Sequence, residues 1–184
     1  MDFFEAVRAR RSIRKFTEKL VPSHVMKQAF EAAMLAPNSS NTQTWNFIWV
    51  KSAESKKKLV EYCLSQSAAR TAQELVVVTA DPALWRRSQS YLIDYVKSVA
   101  APKPVIMYYE KLIPLTYRWG FLNVMALFKW LTTEVVGLFR PMPREPHSRR
   151  ALQEVAIKSA ALACENFVLA LSAQGYSSCM MEGF

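Results

Sequence analysis

Histidine, cysteine and glycine are the scarce residues of this chain, and each shortage removes a class of chemistry or structure. The two histidines, His24 and His147, lie far apart in the sequence. A zinc centre, a Ser/His/Asp triad or a Cys/His pair finds little support in them, although Asp and Glu stay open to a magnesium ion. Cys63, Cys164 and Cys179 are odd in number and widely spaced, with no Cys-x-x-Cys. They read as small core hydrophobes or free thiols. Four glycines and nine prolines are too few for a chain that is disordered by default. No repeat, low-complexity tract or flexible linker is visible, so residues 1–184 are expected to form a single domain. The start of the chain lacks a basic region followed by an apolar run and a small-residue cleavage site, and the expectation is an intracellular, cytoplasmic protein.

Apolar residues are plentiful instead, at 51% of 184, and a chain of this size buries roughly 70% of its extended surface. The net charge is +9, and residues 81–150 supply +6 of it, with 11 basic and 5 acidic side chains. That bias suits nucleic acid, an anionic membrane face or a phosphorylated small ligand. The bases sit apart, without zinc-finger or leucine-zipper spacing, so steering of a small anion is at least as good a reading as nucleic-acid binding.

Helical spacing is expected first around Phe3, Phe4 and Val7, with acids before and arginines after, as the helix dipole favours. Ser23 is expected to cap a second helix, in which Val25, Met26, Ala29, Phe30, Ala33 and Met34 recur and which ends before Pro37. Trp45 to Val50 reads as a strand. Lys56 to Thr71 reads as one helix with Leu59, Cys63 and Leu64 inward, and Leu75 to Thr79 as a buried strand. Asp81-Pro82 caps a helix reaching Val99. Val105 to Tyr109 reads as a third strand or an extended link. Residues 119–139 are mostly apolar, but Asn123, Lys129, Thr132, Thr133 and Glu134 interrupt them. A charge near the bilayer centre costs about 3 kcal/mol, so a buried or cofactor-covering helix, broken near Lys129, is expected there and no membrane span. Ser148 to Ala173 carries the strongest helical pattern, with Gly175 placed to cap it. Its small residues allow a close helix partner, either in the core or in a second copy of the chain.

Two polar stretches are candidates for function. Arg10, Arg11, Ser12 and Arg14 offer guanidinium forks suited to phosphate oxygens, although helix capping and a solvated basic edge explain the same residues. Asn38 to Thr44 presents seven consecutive hydrogen-bonding side chains between helix and strand. It reads either as a solvated connection or as a surface that recognises a polar heterocycle.

Three separated segments together resemble the flavin-dependent nitroreductase family: Arg10-Arg11-Ser12-Ile13-Arg14-Lys15-Phe16; Ala32-Ala33 with Ala36-Pro37-Asn38-Ser39-Ser40-Asn41-Thr42-Gln43-Thr44-Trp45-Asn46-Phe47; and Ala160 through Glu165-Asn166 and Leu169 to Gly175, continuing to Met181-Glu182-Gly183-Phe184. The resemblance covers about residues 1–80 and 150–184. It implies an α+β, nitroreductase-like three-layer sandwich, with a mixed central sheet flanked by helices, assembled as an intertwined homodimer with FMN at the subunit interface. By motif position, Arg10, Arg11, Ser12 and Arg14 would grip the flavin phosphate and ribityl chain. Asn38, Ser39, Asn41 and Gln43 would reach the ring's polar edge, some of them from the partner subunit. Glu182 and Gly183 would lie beside the reactive ring nitrogen, and the helix around Asn166 would form the dimer seam. No metal site and no catalytic side chain is implied, because electron transfer belongs to the cofactor.

The implied activity is electron transfer from NADH or NADPH through FMN to a small aromatic acceptor, such as a nitroaromatic or quinone. Residues 85–145 would cover the pocket, with Tyr108, Tyr117, Trp119, Phe121 and Phe128 as lining or as ordinary core, and Cys179 near the flavin or simply packed. Other FMN chemistry stays open: reductive dehalogenation, desaturation or flavin cleavage. So do a non-enzymatic basic protein binding nucleic acid or an anionic membrane, and a remnant that keeps the fold without the cofactor. Thr44 stands where the family commonly has proline. Family members also commonly continue beyond the position of Phe184 with a further strand and an arm across the partner, so an uncovered sheet edge is expected here.

Overall fold

Asp2 starts the first helix by a reciprocal cap: its Oδ1 accepts from Glu5 N at 2.8 Å, and Glu5 Oε2 accepts from Asp2 N at 3.1 Å. The computed structural model describes residues 1–118, 124–141, 146 and 148–182, and for Val124 and Met125 the backbone only. The elements are α1 (Phe3–Ala9), α2 (Ser23–Met34), β1 (Trp45–Val50), α3 (Ala53–Tyr62), α4 (Ser67–Thr71), β2 (Leu75–Ala80), α5 (Trp85–Ser98), α6 (Lys103–Met107), α7 (Ile113–Tyr117), α8 (Val124–Gly137) and α9 (Arg149–Ala173).

The chain packs as two compact units. One holds residues 1–37, 46–79 and 161–184, and the other holds 38–45 and 80–160. In the first unit β1 pairs with β2, with Asn46 Nδ2 donating to Thr79 Oγ1 at 3.4 Å. Phe30 of α2 and Phe47 of β1 stack on Phe167 of α9, with ring centres 5.1 and 5.6 Å away. Such aromatic contacts add to the area they bury. Asn166 Nδ2 donates to Ala32 O at 3.1 Å, tying α9 to α2. In the second unit Trp85, Ile113, Tyr117 and Leu152 form the core, with Tyr108 and Tyr109 packed against it.

The fold is α+β, but among the described residues the sheet has two strands, with one further parallel bridge between Ser12 and Ser178. The sheet is therefore smaller than the mixed central sheet expected. Four local expectations are corrected. Pro22, not Ser23, takes the position before α2, and its carbonyl accepts from Val25 N at 3.0 Å. Residues 56–71 form two helices, because Leu64 and Ser65 turn to positive φ (54° and 52°), and Leu64 points outward. Residues 105–109 are helical: Pro104 lies in the first turn of α6, where its missing N–H costs nothing. A π turn, Tyr108–Leu112, then leads into α7 ahead of Pro114. A proline ring crowds the carbonyl four residues back, and a widened turn relieves that crowding. Finally, α8 is not broken at Lys129, and its Leu127, Phe128, Trp130, Leu131 and Val135 side chains are exposed rather than buried.

Among the described residues one helix, α9, is long and apolar enough by length and composition to cross a membrane. Its buried positions, among them Leu152, Ala156, Ala163 and Phe167, are core positions. Gly175, at φ +79°, closes it, and Tyr176 N donates to Leu171 O at 3.0 Å, as expected for a left-handed cap.

Candidate functional site

The arginine segment leaves α1 at Arg10, whose N–H gives the last helical bond to Ala6 O at 3.0 Å. Arg10 Nε lies 3.9 Å from Glu165 Oε1, a loose, partly solvated pair. Arg11 turns back on its own helix, and its Nη1 donates to Arg8 O and Arg10 O, each at 2.7 Å. A cation on the last carbonyls of a helix satisfies orphan acceptors and opposes the dipole. Ser12 bridges to Ser178, with Ile13 N donating to Ser178 O at 3.1 Å. This joins the N-terminal motif to the C-terminal one. The chain is then fixed by Phe16 N, which donates to Thr71 Oγ1 at 3.0 Å.

Beyond that bridge lies a cleft of about 230 Å³, lined by Arg14, Gln66, Ser67, Ala68 and residues 179–182. Arg14 and Glu182 thus share one concavity, as do the Ser67 hydroxyl and the Gln66 amide. Arg14 and these neutral donors fit a phosphorylated polar ligand, while the Glu182 carboxylate sets the side from which a phosphate is repelled. Clefts that take a whole drug-sized ligand run to roughly 300–1,000 Å³. This one is smaller. Gly183 lies outside the described residues, as do Trp119 and Phe121.

The loop from Asn38 to Gln43 belongs to the second unit and is tightly built. Ser40, Asn41 and Gln43 all take positive φ (55°, 51° and 47°). This conformation costs roughly 1–2 kcal/mol per residue with a side chain, so the loop needs bracing. Asn38 Oδ1 accepts from Gln43 N at 2.9 Å, and Asn38 Nδ2 donates to Asn41 Oδ1 at 3.4 Å. Ser39 N donates to Ser159 Oγ of α9 at 3.5 Å. Arg87 Nη2 donates to both Gln43 O and Trp45 O at 3.0 Å, and Ser88 Oγ to Thr42 O at 3.2 Å. The Ser40 hydroxyl bonds the Tyr108 hydroxyl, and Thr42 Oγ1 lies 3.3 Å from the Tyr117 hydroxyl. Burial raises the Tyr117 phenol above its ordinary pKa of 10.0, with the nearby Tyr108 adding to the rise and hydrogen bonds from Thr42 and Ser39 opposing it.

Sequence reasoning missed Arg87 and Ser88. Their signal is a basic-polar pair one turn into a helix capped by Asp81-Pro82, which is visible only once the partner loop is known. Tyr108 and Tyr117, expected as pocket lining or as ordinary core, belong to the core of the second unit or pack against it, and their hydroxyls brace the loop. Thr44, at the family's proline position, is buried, and its Oγ1 has no hydrogen-bond partner among the described residues, nor has Trp45 Nε1.

The profile of the Nitroreductase family matches residues 7–184. Protein DrgA of Synechocystis sp. is 26% identical over 185 residues, covering the whole chain and 72% of DrgA. An NADH dehydrogenase of Thermus thermophilus is 32% identical over 81 residues, 44% of this chain and 40% of that protein. The chain covers well under two thirds of several such relatives, 44% for a Methanothermobacter thermautotrophicus protein. In fold it resembles a nitroreductase family protein of Streptococcus pneumoniae (TM-score 0.68, 22% identity, all of this chain and 78% of that one). It also resembles an Exiguobacterium sibiricum protein solved in complex with FMN (TM-score 0.69, 23% identity, 100% and 76%). With a profile match across nearly its whole length, the chain belongs to the nitroreductase family, a family of FMN-dependent oxidoreductases.

Proposed function

We propose that this chain is an FMN-dependent oxidoreductase that passes electrons from NADH or NADPH to a small electron-poor acceptor of the nitroaromatic or quinone class. The observation that carries this reading is the Ser12–Ser178 bridge, which sets Arg14 and Glu182 in one cleft. Those two residues come from the first and third of the motifs that mark the family. When bound, FMN supplies the hydride and electron chemistry. Arg14 would hold the anionic end of the cofactor, with the Ser12 and Ser67 hydroxyls as further donors. Glu182 and Gly183 would lie along the ring. Asn38, Ser39, Asn41 and Gln43 would present amides and backbone groups to the ring's polar edge, pre-set by the bracing of their loop. Arg10 and Arg11, as the family motif implies, would add positive charge toward the phosphate. A cleft of this size takes only part of the cofactor, which supports a homodimer in which a second copy completes the site.

The test is the absorption spectrum of the purified full chain with added FMN, followed by anaerobic titration with each nucleotide. Uptake of FMN and bleaching by NADH or NADPH is the expected result. Retained flavin that neither nucleotide bleaches would overturn the reductase reading, and no uptake at saturating FMN would overturn the cofactor assignment.

A further inference from the structure

Helix α8 is inside out. Leu127, Phe128, Leu131 and Val135 are all exposed, and Leu138 and Phe139 in the turn that follows are 78% and 84% exposed. At 3.6 residues per turn the four helical positions fall within an arc of about 100°. The opposite arc holds Lys129 and Thr133 together with Ala126 and Val136, all half-buried. Lys129 Nζ donates to Thr116 O at 2.9 Å and Arg118 O at 2.8 Å, and burial lowers its pKa. The polar side of the helix is therefore anchored inward and the apolar side left to the surroundings. A contiguous exposed apolar face of this kind marks an interaction surface.

Charge selects the occupant. Residues 103–140 carry the exposed cations Lys103, Lys111, Arg118 and Arg140 against Glu110 and Glu134, and Glu110 is paired with Lys97 at 2.6 Å. A second copy meeting this face with its own α8 would bring like charges together, and a nucleic acid would leave the apolar stripe unused. An anionic bilayer surface satisfies both features. We propose that α8 and the turn after it form a peripheral docking surface for anionic phospholipid, lying in the headgroup plane with the Leu127–Phe139 stripe facing the acyl chains. At 1.5 Å per residue the helix is about 21 Å long, too short to span a hydrocarbon core of about 30 Å. The inference does not depend on the redox reading.

The experiment is flotation of the full chain with phosphatidylcholine vesicles containing about 30% phosphatidylglycerol, against pure phosphatidylcholine, at low and high salt. The expected result is at least about tenfold enrichment on the anionic vesicles, falling with salt. Leu131→Glu with Val135→Glu should abolish it, with unchanged far-ultraviolet circular dichroism because both side chains are exposed. Arg140→Gln, which leaves the stripe intact, should weaken it about fivefold. Equal flotation on neutral vesicles, no flotation on either, or a double-Glu variant that floats like the parent would each overturn the proposal. If the parent stays off both vesicles and sediments as a dimer that the double-Glu variant dissociates, the face belongs to a second copy.

Discussion

The Asn38–Gln43 loop and the Arg10–Arg14 segment are both short and polar, and both are assigned here to ligand binding, yet they are held by opposite means. The loop uses positive-φ backbone and is braced by Arg87, Ser88, Tyr108, Tyr117 and Ser159. The arginine segment is held through its backbone, at Ser12–Ser178 and at Phe16 N, and Arg14 stays exposed at a cleft. The difference separates two ways of preparing a site. Neutral amides gain from pre-orientation, since a mis-aimed hydrogen bond is worth little. A guanidinium acts over a longer range, and a strong internal partner would compete with the ligand for it.

If the loop depends on the core beneath it, the largest effect comes from Trp85, which is 1% exposed and lies 5.8 Å, ring to ring, from Tyr117. Trp85→Ala should cost about 4 kcal/mol in denaturant unfolding and weaken flavin binding by loosening Tyr117 and the loop it braces. Arg14→Ala is the converse. It should weaken FMN binding about thirtyfold, or about 2 kcal/mol, read by fluorescence titration, while changing stability by less than about 0.5 kcal/mol. Equal effects of both variants on stability would erase the distinction.

Tyr117→Phe is a milder probe of the bracing, removing one buried hydrogen bond for about 1 kcal/mol at neutral pH. It also carries a pH signature. The folded phenol holds its proton above its ordinary pKa of 10.0, so above that value the unfolded chain binds fewer protons than the folded one. Stability then falls as pH rises, and the contribution is fully present only below pH 10. Melting curves across the alkaline range should show a shallower decline in Tyr117→Phe than in the parent.

Much of the fold was legible because it is local. The acids Asp2 and Glu5 mark the start of the first helix, Asp81-Pro82 a helix start and Gly175 a helix end, and the β-branched run from Leu75 to Thr79 is a strand. The failures have physical causes. Nothing near Leu64 and Ser65 signals a left-handed turn, since neither is Gly or Asn. Pro102 and Pro104 look like interruptions of the chain, although Pro104 sits in the first turn of α6, where a helix tolerates proline. The apolar stretch around Phe128 looks like core in composition, and only the inward anchoring of Lys129 shows that it is turned outward. In the candidate site the family motifs marked the loop and the arginines. The residues that brace the loop, Arg87 and Ser88, are more than forty positions away and follow no local pattern.

Arg11 is the finest test, because sequence alone groups it with Arg14 while geometry separates them. Its Nη1 caps Arg8 O and Arg10 O at 2.7 Å, an exposed arrangement worth about 0.5 kcal/mol. If that is its main duty, Arg11→Ala should lower the melting temperature slightly and shift FMN affinity much less than Arg14→Ala does. Arg11→Lys, which keeps the charge near the helix end without the planar fork, should recover most of the stability. A loss of affinity as large as that of Arg14→Ala would mean that the guanidinium leaves the helix end when the cofactor arrives. The arginine segment would then be rebuilt by its ligand, whereas the loop is built before it.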